Sequence, residues 1–403
     1  MKLIGPFSQI LTLAHIDFKG SISDQALEVV KNGGVLVSNG HILEVGNFDA
    51  LRRENPLVEI EEIAHKSVLL PGFVDCHTHT CFAGSRAMDF AERNAGTSYL
   101  EIAEKGGGIW STVSQTRNAI DEDLVTLTEN RVNNFLKKGI TTLEIKTGYG
   151  LSVEQEMRLL KIINTLKTRS TVVSTCLAAH VKPRDYEGTA SEYLMHLEEN
   201  LLPKIKDLTN RIDIFTEKSA FGIAESTQYL QNALKLGFTI TVHADQFTSG
   251  SSQMAVKLGA LSADHLEAST DEDIKILSQS ETVAVALPGA SLGLGEPFTP
   301  ARKLLDAGAC LAIASDFNPG SAPMGDLLTQ ASIFATFQKL TTAEVFSGLT
   351  FRAAKALNLY DIGKVGTGYK ADFQSYLTDD YREILYHQGQ LKPCNVWKMG
   401  ILI

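Results

Sequence analysis

The sequence predicts an α/β fold: a (β/α)8 TIM-like barrel with a small β-sandwich domain built from both chain ends. Three observations carry this. Short, nearly all-apolar runs alternate with longer amphipathic stretches through the middle of the chain, as expected of parallel strands buried on both faces and joined by helices. Eight such runs occur. On either side of them the pattern becomes β structure punctuated by glycine. An open doubly wound sheet is the alternative architecture for the same alternation. The length of 403 residues suits one large barrel with a satellite. The expected division is 1–66 and 361–403 for the small β domain and 67–360 for the barrel.

The elements follow in order. Val35-Leu36-Val37 and Ile42-Leu43-Glu44-Val45 flank Asn39-Gly40, a two-residue hairpin signal because both positions tolerate positive φ. The first barrel strand is read as Val68-Leu69-Leu70 running into Phe73-Val74-Asp75. Strands two to four are Thr141 to Ile145, Thr171 to Leu177 and Ile212 to Phe215. Strands five to eight are Phe238 to Val242, Ala260 to Ala263, Val283 to Leu287 and Cys310 to Ala314. Between them, Ser152 with Gln155 suggests a capping box ahead of Met157, Leu160, Ile163 and Leu166 at helical spacing. Ile223 to Leu236 and Thr341 to Leu357 also read as helices. After Tyr360, Ile362 to Gly366 and Asp372 to Tyr376 read as β segments.

Composition narrows the function. The net charge of −10 argues against nucleic-acid or anionic-membrane partners, which need clustered positive charge. A small anionic substrate is still allowed, because a local arginine can override the global field. No apolar run approaches the ~18–20 residues that span a bilayer, and the apolar start is broken by Pro6, Gln9, His15 and Asp17. No signal peptide is read there. The five cysteines are scattered and form no Cys-x-x-Cys pair. This predicts a reduced, cytoplasmic setting and argues against a thiolate zinc site.

Barrel enzymes place catalysis at the C-terminal ends of their strands. Strand one ends Asp75-Cys76-His77-Thr78-His79. Residues two apart in an extended segment share a side, so His77 and His79 can hold one ion. Strand five adds His243 and strand eight adds Asp316. Three imidazoles and a carboxylate suit a divalent metal with room for water. Taken singly, His243 reads equally well as a packed core residue and Asp316 as a helix cap. That reading does not explain why all fall at strand ends. His265, ending strand six, is a further ligand or a hydrogen-bond partner of the reacting water or substrate; the second role is preferred. Glu217, after strand four, keeps a binuclear site open, with a supporting role preferred. Lys146 lies away from the bridging place, so a carboxylated bridging lysine is not expected.

Loop residues suggest substrate contacts. The Arg86 guanidinium can clamp a carboxylate in a bidentate pair. Tyr149 and His180 follow strands two and three. Asn318-Pro319-Gly320-Ser321 is a tight loop able to aim N–H groups at an anion. Gly106-Gly107-Gly108 lacks the ending of a phosphate loop and reads as a flexible or tightly turned active-site segment.

The His-x-His pair, His243, His265 and Asp316 resemble the amidohydrolase superfamily. The flanking text is narrower. Pro71 to His79, Phe82 to Arg86, Gly106 to Ile109, Glu144 to Gly150 and Asp316 to Ser321 are similar to the imidazolonepropionase family, a likeness running from the early β segment to the chain end. The resemblance implies hydrolysis of the ring amide of 4-imidazolone-5-propanoate to N-formimidoyl-L-glutamate, in histidine degradation. By motif match, His77, His79, His243 and Asp316 would bind one divalent ion, zinc or iron. Arg86, Tyr149, His180, Gln246, Asn318, Gly320 and Ser321 would contact substrate or product. Some members carry Glu at the position of Gln246, which implies a hydrogen-bonding role there rather than an obligatory base. Asp316 and His265 would be catalytic, Asp316 as the proton carrier. A homodimer is what the family suggests. The rivals are another amidohydrolase, such as a cyclic-imide hydrolase or an aromatic-base deaminase, and a barrel without catalysis that acts as a binding or scaffold protein.

Overall fold

A computed structural model describes residues 1–97, 101–102 and 105–403. The N-terminal strands are β1 (Lys2–Leu11), β2 (Val29–Ser38), β3 (His41–Asn47), β4 (Glu59–Glu62) and β5 (Val68–Pro71). Next come β6 (Phe73–Asp75), β7 (Ile140–Lys146), β8 (Thr171–Ala179) and β9 (Arg211–Ile214). Then follow β10 (Thr239–Ala244), β11 (Ser262–His265), β12 (Val283–Ala286) and β13 (Leu311–Ile313). The last are β14 (Phe373–Tyr376), β15 (Asn395–Lys398) and β16 (Ile401–Leu402).

Strands β6 to β13 lie side by side in sequence order, all parallel. The ring closes between its first and last members. His79 N–H donates to the Phe317 carbonyl at 2.8 Å, Asp316 N–H donates to the His77 carbonyl at 3.1 Å, and Thr78 bridges Phe317. A barrel, not an open sheet, is therefore the architecture, and the pair that closes it carries His77, His79 and Asp316. No helix among the described residues is long and apolar enough to cross a membrane.

The remaining strands form one sheet in the order β16-β15-β14-β5-β1-β2-β3, with β4 also on β1. Both chain ends contribute. The Asn39-Gly40 turn has φ of 49° and 77°, the left-handed geometry a two-residue hairpin needs. Ile4, Phe7, Val35, Leu69, Phe373 and Trp397 fill its main core.

Three expectations change. The run taken as the first barrel strand divides at Gly72: β5 pairs with β1 and β14, and only β6 enters the barrel. Both halves are fully buried and, but for Asp75, apolar, so periodicity cannot separate them. A side chain at position 72 would meet Thr141 Oγ1 at 2.4 Å, so glycine is needed where the chain passes between sheets. The helix expected over Thr341 to Leu357 is two, Thr342–Gly348 and Phe351–Ala356. The break follows Leu349, whose carbonyl accepts from Val74 N–H of β6 at 2.8 Å and is diverted to the barrel. Ile362 to Gly366 is a bend, not a strand; Val365 N–H is used by the Thr12 carbonyl at 2.9 Å. The helix Val153–Thr165 forms as expected and buries Leu159, Leu160, Ile162 and Ile163. Its Ser152 cap accepts from Gln155 N–H, while the Gln155 side chain accepts from Arg158 at 3.0 Å.

Candidate active site

Beyond β6 and at the end of β10, ring nitrogens of His77, His79 and His243 gather, all within 4.8 Å of one another. His243 Nε2 lies 3.4 Å from His79 Nε2. Asp316 Oδ1 lies 3.5 Å from both His77 Nε2 and His79 Nε2. Tetrahedral coordination with bonds of ~2.0–2.1 Å places ligand atoms ~3.3–3.4 Å apart, close to these separations. His77 Nε2 is buried with no hydrogen-bond partner, an orphaned acceptor of the kind a cation satisfies. His265 lies outside this group, its ring 5.3 Å from that of His243. The residues present therefore fit one divalent ion.

The imidazoles of His77 and His243 are each faced at Nδ1 by a carboxylate. His77 Nδ1 lies 2.6 Å from Asp264 Oδ2, and His243 Nδ1 lies 2.9 Å from Asp213 Oδ2. This leaves both Nε2 atoms as lone-pair donors. Burial, followed by the Lys146 charge, holds the His77 pKa well below its ordinary value, and burial lowers that of His243 to about 4. Neutral imidazole is the form that ligates a metal. Burial would raise the Asp316 carboxyl, but the hydrogen bond from His79 and the charges of His265, His79 and His243 outweigh it and lower its pKa. Asp316 Oδ2 accepts from Asn318 Nδ2 at 3.0 Å and from Ser321 Oγ at 3.3 Å.

His79, His243, His265 and Asp316 form the floor of a cavity of 510 Å³, with His77 buried beneath them. All the expected contact residues line it: Arg86, Tyr149, His180, Gln246, Asn318, Gly320 and Ser321. Arg86 Nε donates to Asp89 Oδ2 at 2.8 Å, and the same oxygen accepts from Gly108 N–H at 2.8 Å. The glycine run is thus a tight turn that braces Arg86. A side chain at Gly320 would come within 2.4 Å of Arg86 Nη1. His180 Nδ1 must donate to the Gly148 carbonyl, 3.0 Å away, so Nε2 carries the lone pair. Burial lowers its pKa to about 3.

The 318–321 loop differs from expectation. Gly320 N–H and Ser321 N–H donate to Asn318 Oδ1 at 2.7 and 2.8 Å. They serve the loop itself instead of pointing at an anion. Glu217 is likewise occupied: Oε1 accepts from Phe247 N–H at 2.9 Å and Thr248 N–H at 2.8 Å, and Oε2 accepts from Thr248 Oγ1 at 2.8 Å. It shapes the loop that bears Gln246, and a bridging role has no support.

The amidohydrolase family model matches residues 68–400. An imidazolonepropionase of Fusobacterium nucleatum subsp. nucleatum is 37% identical over 403 residues, covering 98% of this chain and 97% of its own. One from Bdellovibrio bacteriovorus is 38% identical, covering 99% of this chain and 95% of its own. The chain belongs to the imidazolonepropionase family. It is a hydrolase. Solved structures share its fold at lower identity. A Helicobacter pylori aminofutalosine deaminase in complex with methylthio-coformycin superposes with a TM-score of 0.70 at 16% identity, covering 100% of both chains. An adenosine deaminase from Xanthomonas campestris with bound zinc gives 0.69 at 18% identity, covering 100% of this chain and 92% of its own.

Within this imidazolonepropionase-family site, several residues escape sequence reasoning. Arg93 lines the cavity and donates to the Gly293 carbonyl at 2.9 Å, tying two loops together. Phe215, Ser219, Phe247 and Glu296 also line it. Glu156 Oε1 accepts from Gly150 N–H at 2.8 Å and Leu151 N–H at 2.7 Å, setting the loop that presents Tyr149. His265 and Asp316 have φ of 84° and 52°. Such left-handed geometry in residues other than glycine is costly and concentrates at functional sites. No residue pattern announces it.

Proposed function

We propose that this chain hydrolyses the ring amide of 4-imidazolone-5-propanoate to N-formimidoyl-L-glutamate, with one zinc or iron ion held by His77, His79, His243 and Asp316. The observation that carries the reading is the near-tetrahedral spacing of those ligand atoms beneath a cavity that also holds the Arg86 guanidinium. Bound there, a divalent ion lowers the pKa of water towards ~7 and polarises a carbonyl.

The chain's own groups do the rest. Arg86 takes the propionate carboxylate through the guanidinium nitrogens not engaged by Asp89. This sets the ring carbonyl over the floor, and such positioning is worth several kcal/mol. His180 accepts a ring N–H at Nε2, and Tyr149, whose burial keeps it a neutral phenol, donates. Gln246, which also lines the cavity, adds a hydrogen bond. Water attacks the carbonyl carbon and gives its proton to Asp316. His265 faces the developing oxyanion. The ring C–N bond breaks as Asp316 returns the proton to the departing nitrogen. One water is consumed, and a carboxylate and an N-formimidoyl group result. The family likeness also supports a homodimer, and the five free cysteines agree with a reduced, cytoplasmic setting.

The test follows imidazolone propionate by its ultraviolet absorbance, with product identified by mass, before and after chelation and on adding metal back. Loss and recovery of turnover are expected. Equal turnover of metal-free and metal-loaded protein, or no consumption of this substrate, would contradict the reading.

A further inference from the structure

Beneath the imidazoles lies a fully buried layer of charge that the reaction does not touch. Glu144 and Lys146 are two apart on β7 and share the barrel-facing side. Lys146 Nζ lies 2.8 Å from Glu144 Oε2, 2.8 Å from Asp213 Oδ2 and 3.7 Å from Asp264 Oδ2. Asp213 and Asp264 are the carboxylates that face His243 Nδ1 and His77 Nδ1, and the same oxygen, Oδ2, serves in each case. A single ammonium thus reaches two metal-facing rings through two carboxylates on β9 and β11. The four groups Lys146, Glu144, Asp213 and Asp264 are at most 1% exposed, so water supplies little of the solvation. Burial opposes the charge on Lys146, but Asp213, Glu144 and Asp264 outweigh it and raise its pKa. Glu144 is held in turn by Thr175 Oγ1 and lies 3.7 Å from Arg211.

We propose that Lys146 is a positioning residue for metal binding: its ammonium holds Asp213 and Asp264 where they turn His243 and His77 to present Nε2 to one ion. Without it, three buried carboxylates, Glu144, Asp213 and Asp264, face one another with no ammonium between them, and each must rotate away or find another partner. The rings that depend on them then lose their fixed orientation. Partners behind metal ligands commonly change affinity by ~10–100-fold when removed.

The inference rests on reading His77, His79, His243 and Asp316 as the ligands, and the experiment separates the two. Zinc affinity is measured by competition with a chromophoric chelator, alongside the visible spectrum of the cobalt-substituted protein and the melting of the metal-free form. Wild type binding one ion, lost in His243→Ala, secures the ligand reading. Lys146→Met is then expected to fold, to bind zinc about 10–100-fold more weakly, and to alter the cobalt spectrum. Lys146→Arg is expected to recover part of the loss. Asp264→Asn, which keeps size and shape, is expected to weaken binding in the same range and carries the test if Lys146→Met does not fold. Wild-type zinc affinity with an unchanged cobalt spectrum in Lys146→Met, or in Asp264→Asn if that variant carries the test, would overturn the proposal. None of these readouts needs a substrate.

Discussion

The floor and the mouth of the cavity are built on opposite plans. At the floor, side chains on strands or just beyond them are faced by side chains on strands: Asp264 for His77, Asp213 for His243, Lys146 for both carboxylates. At the mouth, single side chains gather backbone N–H groups of loops. Glu156 holds 150–151, Glu217 holds 247–248, Asn318 holds 320–321, and Asp89 holds Gly108. The first plan fixes atoms to the tolerance a metal demands. The second fixes loop shape, and a different loop sequence can present different contacts on the same floor. This is how one barrel carries many chemistries.

Substitutions of decreasing severity probe that contrast. Asp316→Asn removes the proposed proton carrier at the floor and is expected to lower kcat by about 10³-fold, the usual scale for a lost acid–base group. Metal content is measured in parallel, and full turnover would remove Asp316 from the proton path. Arg86→Met acts at the mouth. KM is expected to rise on the order of 10²-fold, the scale for losing a desolvated charge pair, and kcat to fall as the ring carbonyl loses its positioning. An unchanged KM would mean the carboxylate binds elsewhere. Gly320→Ala places a methyl against Arg86 without removing it. The expected rise in KM is about 10-fold or less, since the guanidinium is displaced and not lost; a rise equal to that of Arg86→Met would make the loop the primary anion contact. Glu217→Gln is the mildest. It weakens the clamp on 247–248 and is expected to cost about 1–3 kcal/mol of stability by thermal melting, with metal content unchanged. Loss of metal in this variant would revive a ligand role.

The barrel and the cluster of His77, His79 and His243 are legible in the sequence for one reason. Parallel strands buried on both faces leave near-continuous apolar runs, so His77, His79, His243 and Asp316 stand out where those runs end. The same uniformity hid the boundary between β5 and β6, because two buried strands in different sheets look alike. The sequence puts Lys146 at the end of the second barrel strand but shows only that it lies away from a bridging place. Its ion pairs lie on β7, β9 and β11, and only the closed ring brings them together. Glu156 is hidden differently; Glu217 stands out by its place after strand four, but the loop amides it holds do not. A carboxylate that accepts loop N–H groups has no partner side chain to search for, so nothing in the residue string distinguishes it from a surface acid. The 318–321 loop was recognised as tight, but that its amides serve Asn318 is a matter of rotamer.

The central claim is that four side chains converge on one cation. Anomalous diffraction from crystals of the metal-loaded protein tests it most directly. One peak is expected, ~2.0–2.2 Å from His77 Nε2, His79 Nε2, His243 Nε2 and Asp316 Oδ1. An ion bound elsewhere, or none with these four atoms in its coordination sphere, would contradict the account.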